Sequence, residues 1–191
     1  MQSDWAAQVV RYWFEELPTE AWFRKDDAVD AAIRERFGSC YEQLAQLRPQ
    51  QLTTSLECIA AVIVLDQFPR NMFRGSPRAF ATDALALSIS QHAIAAGLDL
   101  QLTQQQRLFL YMPFQHSEDA ADQRRSVALF RRWAEAHGDK NREWVAESMR
   151  YVLRHQEVIE RFGRFPHRNQ ILGRESTPAE TDFLARPDAS F

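Results

Sequence analysis

Leu56-Glu57-Cys58-Ile59-Ala60-Ala61-Val62-Ile63-Val64-Leu65, running straight into Asp66-Gln67-Phe68-Pro69-Arg70-Asn71, is the stretch that decides the fold. Its first ten residues are apolar nearly all round. A helix from about Thr54 to Gln67 with no polar face belongs in the middle of a helical core. The rest of the chain supplies helices to surround it. Asp4 caps a first one bearing Val9, Trp13, Phe14 and Leu17, which stops at Pro18. A second, from about Asp27 to Leu47, puts Ala32, Ile33, Phe37, Tyr41 and Leu44 on its inner face.

Beyond the central helix, a fourth begins at Thr82 and ends near Gly97, which suits a left-handed cap. A fifth, from Thr103 to Met112, is closed by Pro113. Ser117 caps a sixth, with Glu118 and Asp119 in its first turn; Val127, Phe130, Trp133 and Ala134 face inward up to Gly138. A seventh, from about Arg142 to Phe162, carries the stripe Val145, Met149, Val152, Ile159 and Phe162 and ends at Gly163. Thr177-Pro178-Ala179-Glu180 is a capping box with proline at the first helical position, so a short last helix follows it. No run alternates apolar and polar residues. The expectation is an all-α chain of antiparallel helix hairpins, seven to eight helices in one domain over residues 1–191, at least about 60% helical.

Composition narrows the function classes. Of 191 residues, 45% are hydrophobic and 26% charged, the balance of a globular protein, and the net charge of −3 offers no general attraction to nucleic acid or anionic lipid. The start Met1-Gln2-Ser3-Asp4 has no basic segment followed by an apolar one, and no apolar run approaches the ~20 residues that cross a bilayer. Cys40 and Cys58 stand apart with no paired spacing, as in a reducing compartment. A cytoplasmic protein with no membrane or nucleic-acid partner is expected. Lys25 and Lys140 are the lysines; the other cations are arginines, a bias that suits forked anion recognition and equally a GC-rich genome.

Two connectors break the helical pattern. Asp66 to Arg78 carries three arginines against one aspartate, and Arg164 to Arg174 carries three arginines and no acid. Each contains Phe-Pro followed by Arg-Asn, directly after a helix. Proline should halt the helix and hold the preceding phenylalanine extended, so that arginine and asparagine are presented by a fixed backbone. A third polar stretch, Tyr111 to Asp119, lies at another helix junction. The candidate ligand-binding residues are therefore Asp66, Arg70, Asn71, Arg74, His155, Arg164, Arg168 and Asn169, with His116, Glu118 and His167 as acid/base candidates. Each has a structural reading as well. Asp66 suits an ion pair with Arg70; His155, on an apolar stripe, suits a hydrogen-bonded core position; Glu118 and Asp119 complement a helix N-terminus. His92 and His137 read as structural.

The runs LDQFPRNMFRGSPRAFATD (65–83), YMPFQHSED (111–119) and RFGRFPHRNQILGRESTPAE (161–180) resemble the signatures of a bacterial helical family, domain of unknown function 924, whose fold is tetratricopeptide-like. The likeness extends over essentially the whole chain. It implies a superhelical array of helix hairpins and brings no activity with it. No fixed 34-residue repeat is present, so any likeness to tetratricopeptide proteins is one of architecture.

No Walker loop, dinucleotide glycine motif or nucleophile elbow occurs, so no cofactor or reaction class is assigned. No helix carries a His-x-x-x-His or Glu-x-x-His pair, so no metal site is expected. Two readings remain: a pocket where the polar junctions converge on a small anionic ligand, possible enzyme included, and a surface that takes a protein or peptide partner.

Overall fold

The computed structural model describes residues 4–137 and 141–186. The protein is 76% helix, with no strand among the described residues. Helix α1 (Trp5–Arg11) is extended by a π-helical turn, Tyr12–Glu16; α2 is Asp27–Leu44; α3 (Ser55–Val62) passes through a second π-turn, Ile63–Gln67, into α4 (Phe68–Met72). Then come α5 (Asp83–Ala95), α6 (Gln104–His116), α7 (Ala120–His137), α8 (Arg142–Phe162) and α9 (Pro178–Leu184). With residues 55–72 counted as one continuous rod, the described residues form eight helices. No helix among them is long and apolar enough to cross a membrane. The expected stop of the sixth helix at Gly138 and the side chain of His137 lie outside the described residues.

The chain divides into two compact units, residues 1–113 and 114–191. In the first, α3 is the central helix that its sequence demands, and every residue from Cys58 to Leu65 is fully buried. Aromatic side chains surround it. Trp13 meets Phe68 and Phe109 edge-on, at centroid distances of 5.7 and 5.6 Å, and Trp22 donates its indole N–H to the Trp13 carbonyl at 2.8 Å. The buried tryptophan thus satisfies its one polar atom while filling the core. In the second unit α7 and α8 form a helical hairpin, with Trp133 edge-on to Trp144 at 5.1 Å. Val158, Ile159, Phe165 and Phe183 close a smaller core between α8, the segment after it and α9.

Three local expectations are corrected. Pro69 does not halt the rod: Phe68 sits at φ −58°, ψ −36°, helical rather than extended, and the helix runs on to Met72. A proline in a helix removes the N–H that would reach the carbonyl four residues back. Here that carbonyl belongs to Leu65, and the Thr82 hydroxyl donates to it at 2.6 Å. Pro113 likewise lies inside α6, which carries on for another turn to His116. Helix α7, the sixth expected from the sequence, is capped by Asp119 rather than Ser117: Asp119 Oδ1 accepts from the N–H groups of Ala121 and Asp122 at 2.7 and 3.1 Å. Ser117 supports that cap, accepting from the Asp119 N–H at 3.2 Å and donating to Asp122 at 2.7 Å.

Candidate functional site

In the first unit the arginines after Pro69 are tied down by carboxylates. Arg70 places a two-pronged fork on Asp83, 3.0 Å to each oxygen, and lies 3.5 Å from Asp66, which is fully buried and also accepts from the Gln67 amide. Burial would lower the Arg70 pKa, but the two carboxylates outweigh it and raise it. Arg74 forks onto Asp30 at 2.9 and 2.8 Å, and Asn71 donates to the same carboxylate at 2.7 Å. Burial pushes the Asp30 carboxyl up; Arg74, Asn71 and the Arg34 charge together hold it below the usual range. Arg78 pairs with Glu42 at 2.7 Å. The strong, directional donors of this segment are spent on anchoring it to α2 and α5.

Asp30 and Asp83, which hold those forks, were not singled out by sequence reading. Asp30 had a signal: it stands at the stripe spacing before Ile33, Phe37, Tyr41 and Leu44, an acid where α2 is otherwise apolar.

The second unit is arranged differently. Gly163 ends α8 in the left-handed region at φ +67°, and Phe165 is extended at φ −88°, ψ 106°, as proline at the next position requires. Arg164 and Arg174 are anchored by carboxylates. Arg164 forks onto Glu180 at 2.7 and 2.8 Å, which holds the Glu180 pKa down at about 2. Arg174 forks onto Glu118 at 2.7 and 2.9 Å, reaches Asn169 Oδ1 at 3.0 Å, and donates to the Phe165 carbonyl at 3.1 Å. Glu118 also accepts from the Phe165 N–H at 2.8 Å. Burial raises its pKa, but Arg174, that N–H and the Arg168 charge together bring it below the ordinary value. Glu118 therefore stays a carboxylate and clasps the segment 165–174. Asn169, fully engaged and 1% exposed, donates to Ser176 at 3.0 Å.

Around Phe165 three further groups meet, and a fourth stands next to one of them. The ring of His155 packs edge-on to Phe165 at 5.4 Å, the His167 ring lies 5.6 Å away on the same phenyl, and the Arg168 guanidinium sits over it at 4.6 Å. His116, in the last turn of α6, is 6.3 Å from His155. Two histidines and an arginine thus surround one aromatic ring, and a third histidine, His116, stands beside His155. His155 and Arg168 are 6% and 7% exposed, so these groups are largely out of water.

His155 reports the local field. Its Nδ1 lies 2.8 Å from the Tyr151 carbonyl, an acceptor, which fixes the ring hydrogen there and leaves Nε2 as the lone-pair nitrogen, 3.5 Å from the Gln115 amide. Burial, then the neighbouring His116, His167 and Arg168, push its pKa down to about 3. At neutral pH it is an uncharged ring in a positive neighbourhood. His92, by contrast, only contacts the Leu52 carbonyl at 3.0 Å in the first unit, as a structural histidine does. Among the described residues no three histidine, cysteine or acidic side chains are disposed to hold a metal ion. An open cleft of about 490 Å³, lined by Arg161, Phe162, Arg164, Thr177, Ala179 and Glu180, contains none of the histidines.

A family model described as a bacterial protein of unknown function, DUF924, matches residues 9–188. The chain is also similar to the solved structure of a protein of unknown function from Agrobacterium tumefaciens, at 37% identity and a TM-score of 0.83, over 94% of this chain and 96% of that one. No curated protein matches the chain.

Proposed function

This chain belongs to the bacterial family of unknown function DUF924, and from its own geometry we propose that the second unit binds a small anion through Arg168, His116 and His167, beside the neutral ring of His155. The observation that carries the reading is the gathering of His155, His167 and Arg168 around Phe165 at 4.6–5.6 Å, with His116 6.3 Å from His155. Arginine keeps its charge at every relevant pH and presents a planar fork suited to phosphate or carboxylate. His116 and His167 can add N–H donors, and His155, kept neutral by burial first and by its cationic neighbours after that, brings no charge of its own. Glu118 and Asn169 serve this site by holding the 165–174 backbone through Arg174.

A protein- or peptide-docking surface is the alternative. Four large aromatics of this unit, Phe130, Trp133, Phe165 and Phe183, are buried and so are not offered to a peptide.

The test is thermal unfolding in inorganic phosphate against chloride at matched ionic strength. Phosphate should raise Tm further than chloride in the unmodified protein, since a ligand that binds the folded state stabilises it by mass action. Phosphate also stabilises proteins generally by exclusion from their surfaces, so variants decide the matter. Arg168→Ala should lose the phosphate increment and Arg164→Ala should keep it. Retention of the whole increment in Arg168→Ala overturns the reading.

A further inference from the structure

A second polar feature lies on α7. Gln123 and Ser126 are three residues apart, hence neighbours on one helical face, and they are 1% and 0% exposed. Gln123 Oε1 and Ser126 Oγ are buried with no hydrogen-bond partner in the protein. The orientation of the Gln123 amide is fixed by chemistry. Its nitrogen donates to the carbonyls of Phe114, Gln115 and Ser117, at 3.4, 2.7 and 2.6 Å. Flipping the amide would put its oxygen against three other oxygens, so the orphaned atom is an acceptor and not a misassigned donor. Ser126 makes no bond to the carbonyl of Asp122 one turn back, although Ser90 on α5 bonds the carbonyl four residues before it at 3.1 Å.

We infer that Gln123 Oε1 and Ser126 Oγ form a binding site for one internal water molecule. The requirement is for a molecule that donates to the amide oxygen and, beside it, either accepts from or donates to a hydroxyl. Water does both in the space of one heavy atom, and buried polar atoms left over by a fold are its usual hosts. An anion would be repelled by Oε1. A cation would need acidic ligands, and among the described residues no three histidine, cysteine or acidic side chains are disposed to hold one. The bound water completes the polar shell of the residue that clamps the end of α6, where His116 begins the candidate site, so it belongs to the scaffold of that region. This inference is independent of the anion reading.

The test is a high-resolution crystal structure together with oxygen-17 relaxation dispersion, which counts long-lived internal waters in solution. Density for one water within hydrogen-bond distance of both atoms is expected. In Ser126→Val the added methyl takes the water's place, and the count of long-lived waters should fall by one. The proposal is overturned if the crystal shows Ser126 Oγ bonded to Gln123 Oε1 or to the Asp122 carbonyl with no water between. An unchanged water count in Ser126→Val overturns it equally. If that variant does not fold, the crystal structure of the unmodified protein decides alone.

Discussion

Phe68-Pro69-Arg70-Asn71 and Phe165-Pro166-His167-Arg168-Asn169 are near copies in sequence, and each follows a long helix, yet their backbones differ. The first stays helical, carried through its proline by a π-turn and by the Thr82 hydroxyl on the Leu65 carbonyl. The second breaks at a left-handed glycine and runs extended into its proline. The difference extends to the charges. Arg70 and Arg74 each meet a carboxylate fork to fork, and Arg168 lies over Phe165, the ring that His155 and His167 also pack against. The same short motif therefore anchors one unit and lines a candidate site in the other, and the surrounding residues decide which.

The largest expected effect tests the anchoring role. Arg70→Met removes the guanidinium shared by the buried Asp66 and by Asp83. Taking away one partner of a buried ion pair costs roughly 3–5 kcal/mol, because the remaining charge keeps its desolvation cost. Urea unfolding should show a loss of that size. A loss below about 1 kcal/mol, the value of a surface pair, would mean that Arg70 is no more an anchor than an exposed arginine.

Acid should distinguish the second segment. His155 has a folded pKa of about 3 against an ordinary 6.5, so the unfolded chain binds the extra proton first. Its contribution is fully present above pH 6.5 and is lost as pH falls toward 3, at up to about 1.4 kcal/mol per pH unit. Between pH 7 and 5 that amounts to roughly 2 kcal/mol. Glu180, at about 2 against 4.5, works in the same direction but only below pH 4.5. His155→Asn cannot take up the proton, so its stability should fall less steeply over pH 7 to 5 than that of the unmodified protein. Parallel curves would show that His155 is not buried in a positive neighbourhood.

These cases also show what the residues disclose and what they withhold. The helices, their stripes, the Thr177 capping box, the left-handed Gly97 and the stop at Gly163 follow from short-range patterns, and the structure has them. The continuation through Pro69 could not be read, because the group that satisfies Leu65 comes from Thr82, seventeen positions away. The histidines show the same limit. The sequence pattern puts His116 and His167 on loops and His155 on an apolar face, but ring distances near 6 Å depend on how α8 and the segment after it pack. Asp30 was legible as an acid within an apolar stripe; that it serves Arg74 and Asn71 was not.

A smaller effect sharpens the account of the first segment. Thr82→Val keeps the shape of the side chain but strips the buried Leu65 carbonyl of its donor, a cost of about 1–3 kcal/mol. Pro69→Ala restores a backbone N–H at the position four residues on. The double variant should then be more stable than Thr82→Val alone, which a double-mutant cycle by urea unfolding would reveal as coupling. Additive effects would show that Thr82 does not stand in for the missing N–H of Pro69.

The smallest effect addresses what separates the two segments in the first place. Gly163 is at φ +67°, and a Cβ built there meets nothing within 4 Å. Any cost of Gly163→Ala is therefore backbone strain alone, about 1–2 kcal/mol for an L-residue in the left-handed region. Asparagine tolerates that region better, so Gly163→Asn should lose less than Gly163→Ala. Gly38 in the middle of α2 also has open space around its Cβ but no left-handed angle, and there the same change to alanine should stabilise by about 0.4–1 kcal/mol. One substitution with opposite signs at two equally roomy positions isolates the conformational term from packing. If thermal unfolding finds Gly163→Ala as stable as the unmodified protein, the chain after α8 has a non-left-handed route available, and continuing as a helix through its proline, as residues 55–72 do, becomes the way this segment is built.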